Sequence, residues 1–132
     1  MQQRSPFKSR GGLERLRAAV KYSLNGFRQA WHEEAAFRQE LMLFAVLLPV
    51  ALVVPVTIVE RIVLVSSAVL VLVVELLNSA IEAVVDRVSF DRHELSQRAK
   101  DLGSAAVMLS LLVAGFCWLA ILGPLVVDLA EW

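Results

Sequence analysis

A single cysteine, Cys117, stands among the 132 residues. No intrachain disulfide can form, and a lone thiol inside an apolar run reads as packing. Histidine is almost as scarce: His32 and His93 lie far apart, so the sequence offers no Cys/His metal cluster. It has neither a Gly-x-x-x-x-Gly-Lys run nor a glycine-rich dinucleotide fingerprint. That removes the common loops that cradle phosphates. Net charge is zero, with 13 Lys+Arg against 13 Asp+Glu, so there is no global excess of either sign to draw a nucleic acid or a basic partner. The start of the chain is basic and polar with no apolar stretch directly behind it, and no cleavable signal peptide is expected. No internal repeat or low-complexity tract is visible.

What the chain does have is long apolar runs. It is 58% hydrophobic, with a mean hydropathy of +0.64, above an ordinary soluble domain. Residues 41–59 form a first candidate span, 62–88 a second and 104–127 a third, each long enough for a hydrocarbon core of roughly 30 Å. Pro49 and Pro55 are expected to kink the first span or end it early, and Glu60-Arg61 reads as a short polar turn. The second run covers roughly 40 Å at about 1.5 Å per residue, so its last turns reach the headgroups. Ser89 to Gly103 reads as a polar connection, helical from about Glu94.

Ahead of these spans, residues 1–10 read as a disordered basic tail. Over 13–33, Leu13, Leu16, Val20, Leu24, Phe27 and Trp31 recur every three or four residues, with Arg15, Lys21 and Arg28 off that stripe. This predicts a basic amphipathic helix lying on a membrane surface. The expected fold is one all-α membrane domain over 1–132, with an N-terminal amphipathic surface helix and three transmembrane helices. Most basic residues fall before Trp31 or between Arg87 and Lys100. Both segments lie on one side of a three-span chain, and the positive-inside rule makes that side cytoplasmic and the C-terminus periplasmic.

The second span carries an anomaly. Glu75, Asn78, Ser79, Glu82 and Asp86 are three or four residues apart and form one polar ridge on an apolar helix. A carboxylate at the centre of a membrane helix costs roughly 2.5–3.5 kcal/mol on insertion scales. Glu34 and Arg38 lie just before the first span at i, i+4 spacing, where a surface pair is the bland reading. Three readings stay open on the residues alone. The ridge could serve a cation- or proton-handling transporter. It could belong to an interfacial enzyme whose carboxylates hold a divalent cation and act as a base. Or it could mate with itself in an assembly subunit. Three helices are too few to bury the ridge, so an oligomer is expected.

The run Glu75-Leu-Leu-Asn-Ser-Ala-Ile-Glu-Ala-Val-Val-Asp-Arg87 resembles that of the small prokaryotic integral-membrane diacylglycerol kinases. Glu34-Ala-Ala-Phe-Arg-Gln-Glu40 and His93-Glu-Leu-Ser-x-Arg-Ala-Lys-Asp-x-Gly-Ser-Ala-Ala106 agree. These kinases are unrelated to protein kinases, in keeping with the missing phosphate loop. The resemblance implies a homotrimer in the bacterial inner membrane that transfers the γ-phosphoryl of ATP to diacylglycerol, with Mg2+ as cofactor and phosphatidic acid as product. It implies Glu75 as the general base, Asn78 as its support, and Glu34 and Glu82 as metal carboxylates that also meet ATP. Arg15, Tyr22, Asp91, Arg92, His93, Lys100 and Asp101 are the further ATP-binding candidates. Arg15 and Glu75, with Ser23, Arg28, Trp31, Arg38, Glu40, Arg61, Ser104 and Trp118, match positions near the lipid. A sister branch phosphorylates undecaprenol; the His93–Ser96 and Gly103-Ser104 words favour the diacylglycerol branch.

Overall fold

Four helices organise the described residues 11–132 in a computed structural model; the expected basic tail lies outside the described residues. They are α1 (Gly12–Glu33), α2 (Ala35–Val53), α3 (Ile58–Val88) and α4 (Glu94–Ala130). The three candidate membrane spans are α2, α3 and α4, each long and apolar enough to cross a bilayer. The described residues are therefore all-helical apart from their connections, and three of the helices match the runs read from hydropathy.

The helix ends differ from those expectations for identifiable reasons. Pro55 falls in the connection after α2, where its missing N–H does no harm. Thr57 then caps α3: its hydroxyl accepts from Glu60 N–H at 3.2 Å, and Glu60 returns a bond to Thr57 N–H at 3.2 Å. This is a capping box. Glu60 and Arg61 thus open α3 rather than forming the turn. Arg61 reaches back to the carbonyls of Ala51 at 2.5 Å and Val54 at 3.1 Å, closing the end of α2 with a positive charge. The first helix of the membrane set accordingly spans Ala35–Val53 rather than 41–59. On the other side, His93 Nδ1 accepts from Leu95 N–H at 3.1 Å and starts α4 there. The polar connection shortens to residues 89–93.

Solvent preference is inverted relative to a water-soluble bundle. Leu43, Val46, Leu77, Leu112, Phe116 and Leu119 are exposed, and Leu64 is the largest side chain that is fully buried. Among the described residues the interior holds Ser67, Glu75, Asn78 and Ser110 beside Ala30, Phe37, Ala51, Leu64 and Val71. Lipid tails can cover an apolar exterior, while polar side chains must find partners between helices. The main packing is an antiparallel seam between α3 and α4. Lys100 meets Asp86 near one end, Gly103 lies on Asn78, and Trp118 Nε1 donates to Leu64 O at 3.1 Å further down. At 1.5 Å per residue α3 and α4 are about 46 Å and 55 Å long, against about 28 Å for α2. Both α3 and α4 exceed a hydrocarbon core of roughly 30 Å, so part of each lies outside it.

Candidate active site

The inner stripe of α3 is Leu64, Ser67, Val71, Glu75 and Asn78, all buried at three- and four-residue spacing. The expected polar ridge is therefore real, and its lower half faces α4. Glu75 is 4% exposed and Asn78 9%. One turn further on, Asn78 Nδ2 donates to Glu82 Oε1 at 3.4 Å. Another turn brings Asp86, whose Oδ1 accepts from Lys100 Nζ at 2.8 Å. From Glu75 to Glu82 is about 10 Å along the helix axis. The ridge thus runs from a buried acid to an ion pair at the rim.

Acids from the α1–α2 corner join this ridge. Glu34 is the single extended residue between α1 and α2. It and Glu82 both lie within electrostatic reach of Glu75, and Glu75 in turn acts on Glu40. Four carboxylates therefore share one neighbourhood. Among the described residues, Glu40 Oε2, Asn78 Oδ1 and Ser79 Oγ are buried without a hydrogen-bond partner. Each costs about 1–3 kcal/mol unless a ligand or a second subunit satisfies it. Clustered carboxyl groups with unused oxygen acceptors suit a hydroxyl donor, or a cation that brings further ligands of its own.

Two concavities lie against α3, one of them at the ridge. A cleft of about 380 Å³ opens between the end of α1 and the outer flank of α3, lined by Ser23, Phe27, Glu33, Glu34, Ser79 and Ala83 among others. It brings Ser23 and Glu34 to the Ser79 side of the ridge. A second cavity of about 260 Å³ lies deeper, walled by Phe44, Leu47, Val71, Leu72 and Gly115, with Glu40 and Trp118 on its lining. Two of the residues matched to the lipid thus share one apolar chamber.

Other candidates take structural partners within the chain. Arg38 Nη1 donates to the carbonyls of Trp31 at 2.7 Å and His32 at 3.1 Å. It caps the end of α1 and sets the corner that presents Glu34. Arg61 holds the end of α2, a full helix away from Glu34. Asp101 Oδ1 accepts from Gln97 at 2.8 Å, and Ser23 Oγ donates to Ala19 O at 2.8 Å. Arg92 and His93 line a shallow groove with Glu94 and Gln97, beside exposed Asp91. Arg15, Tyr22, Arg28, Trp31 and Ser104 are exposed on α1 and α4. Two residues that the sequence reading did not place in the site belong to its geometry. Asp86 holds Lys100, and its place on the ridge was the available signal. Gly103 touches Asn78, and nothing in its spacing announced that contact.

Comparison with known proteins agrees with this arrangement. The family described as prokaryotic diacylglycerol kinase matches residues 21–122. The diacylglycerol kinase of Pseudomonas aeruginosa is 52% identical over 118 residues, covering 89% of this chain and 96% of that protein. Those of Haemophilus influenzae and Escherichia coli K12 are 48% and 49% identical over 111 residues, each covering 84% of this chain and respectively 94% and 91% of their own. With the family matched over most of its length and with relatives of this identity, the chain belongs to the prokaryotic diacylglycerol kinase family.

Proposed function

We propose that this protein is a lipid kinase that transfers the γ-phosphoryl of Mg-ATP to diacylglycerol, giving phosphatidic acid and ADP. The observation that carries the reading is the ridge itself: a buried acid, Glu75, continuous with acids that climb to a charged rim. A membrane-bound alcohol reaches Glu75 from within the bilayer, and a water-borne nucleotide reaches the rim. Glu75 accepts the proton of the lipid hydroxyl, the hydroxyl oxygen bonds to the γ-phosphorus, and the bond to the β–γ bridging oxygen breaks as ADP leaves. General-base help of this kind is worth about 10²–10⁴-fold. The rest is positioning and charge neutralisation.

The carboxylates fit a magnesium–nucleotide complex. Among the described residues no group of three or more His, Cys, Asp or Glu is placed to hold a metal by itself. Mg2+ binds through one or two carboxylates plus substrate phosphates, so Glu34 and Glu82 suffice when ATP supplies the remainder. When bound, the ion would neutralise developing phosphate charge. Lys100 adds positive charge at the rim beside Asp86, Arg15 is a further candidate from the exposed face of α1, and Asn78 steadies Glu82. Arg92 and His93 lining one groove with Glu94 and Gln97 supports a nucleotide contact for that segment. The cavity between Glu40 and Trp118 offers an apolar chamber of the kind a lipid substrate uses. By the positive-inside rule the basic segments favour a rim and an N-terminus on the cytoplasmic side of a bacterial inner membrane. Buried oxygens without partners in one chain favour completion by neighbouring copies, and the family resemblance makes that assembly a homotrimer.

Purified protein in vesicles, given γ-labelled ATP with diacylglycerol and undecaprenol in parallel, tests the reading. Label should appear in phosphatidic acid. Label only in undecaprenyl phosphate would assign the chain to the sister branch. Cation flux without ATP and with no labelled lipid would replace the kinase by a transporter.

A further inference from the structure

Gly103 is one of two residues of α4 buried within the chain. A Cβ added there would overlap Asn78 Oδ1 and lie 3.3 Å from Asn78 Cγ. The other described glycines, Gly11, Gly12, Gly26, Gly115 and Gly123, face open space at the same test. The seam cannot slide to admit a methyl, because Lys100–Asp86 fixes its register on one side and Trp118–Leu64 on the other. The amide of Asn78 would have to move instead. Its bond to Glu82 is already long at 3.4 Å, and such a contact is lost within a few tenths of an ångström.

We propose that Gly103 is a positioning residue for the metal carboxylate: its missing side chain lets α4 press Asn78 into the orientation that holds Glu82. This rests on the reading of Glu82 as a magnesium ligand. The glycine itself touches neither substrate nor ion. It acts through Asn78, whose Nδ2 occupies one oxygen of Glu82 and leaves the other for the cation. Outer partners of metal ligands typically carry about 10–100-fold in metal affinity or activity.

Binding of Mn2+ followed by its electron paramagnetic resonance signal, on detergent-solubilised protein with a non-hydrolysable ATP analogue, reads this without turnover. Gly103→Ala should weaken Mn2+ binding about 10–100-fold. Asn78→Ser should do the same, and the double variant should bind no worse than Asn78→Ser, since a shortened residue 78 leaves room for the methyl. Wild-type affinity in Gly103→Ala, or losses that multiply in the double variant, would overturn the proposal. Glu82→Gln separates the two levels. If it binds Mn2+ like the wild type, the metal reading fails and the proposal with it; if it binds weakly while Gly103→Ala does not, only the proposal fails. Should Gly103→Ala not fold, the double variant should fold; its failure as well would show that the glycine serves something other than Asn78.

Discussion

The α3–α4 seam and α1 are built on opposite terms. Five residues of α3 are buried within the chain, against Ala30 alone in α1. The seam is pinned by an indole–carbonyl bond, an ion pair and a glycine-to-amide contact. Helix α1 is joined to α2 by one extended residue and the Arg38 bonds, and it exposes Leu13, Leu16, Val20, Leu24 and Phe27. The groups that the proposed reaction would align, Glu75, Asn78 and Glu82, sit on the pinned element. Groups matched to recognition, Arg15, Tyr22 and Arg28, sit on the loosely attached one. Reactive geometry tolerates errors of only about 0.5 Å, so it belongs on packed helices. A helix that in the proposed function would meet lipid and nucleotide gains from low local contact density.

The sharpest way to test the pinned side is Glu75→Gln. The amide keeps the shape and removes the base, so turnover should fall by about 10²–10⁴-fold. Nucleotide binding and the unfolding midpoint in detergent should stay close to wild type. Lipid phosphorylation at near the normal rate would remove Glu75 from the mechanism and leave the ridge without its central role.

Packing gives the next largest effect. Leu64 is 0% exposed and meets Trp118 across the seam. Leu64→Ala should cost roughly 2–5 kcal/mol of stability, read from thermal or denaturant unfolding in detergent. Trp118→Phe deletes the N–H donor and trims the indole of a half-buried side chain, which leaves little cavity. Its cost should be about 0.5–1.5 kcal/mol, the net worth of one such bond. A Trp118→Phe loss equal to that of Leu64→Ala would mean that the indole bond, rather than close packing, holds the seam.

Much of the seam was legible because lipid narrows the choices. Spanning segments must be helices, so three- and four-residue spacing alone puts Glu75, Asn78 and Glu82 on one face. Helix ends were harder. Glu60-Arg61 looks like a polar interruption of an apolar run, yet Glu60 completes the cap on Thr57 and Arg61 closes α2. The Thr57-x-x-Glu60 word was the available sign. The Gly103–Asn78 contact was not legible, since spacing within each helix says nothing of the register between them. The same limit hid Arg38, whose charge is visible in the sequence but whose carbonyl partners depend on the α1–α2 corner.

The smallest effect belongs to α1 and repeats the chemistry used on the seam. Leu16 is 62% exposed, so Leu16→Ala deletes the same atoms as Leu64→Ala while leaving no cavity behind. Substitutions of exposed residues away from special features stay within about 0.5 kcal/mol. Unfolding of Leu16→Ala in the same detergent should therefore match wild type to within that margin. The pair isolates environment, because residue type and side-chain volume are held constant. A cost for Leu16→Ala near that of Leu64→Ala would mean that α1 is packed as firmly as the seam, against detergent-buried neighbours or another copy of the chain. Recognition and chemistry would then share one rigid frame, and the loosely held helix could not act as an independent approach for lipid.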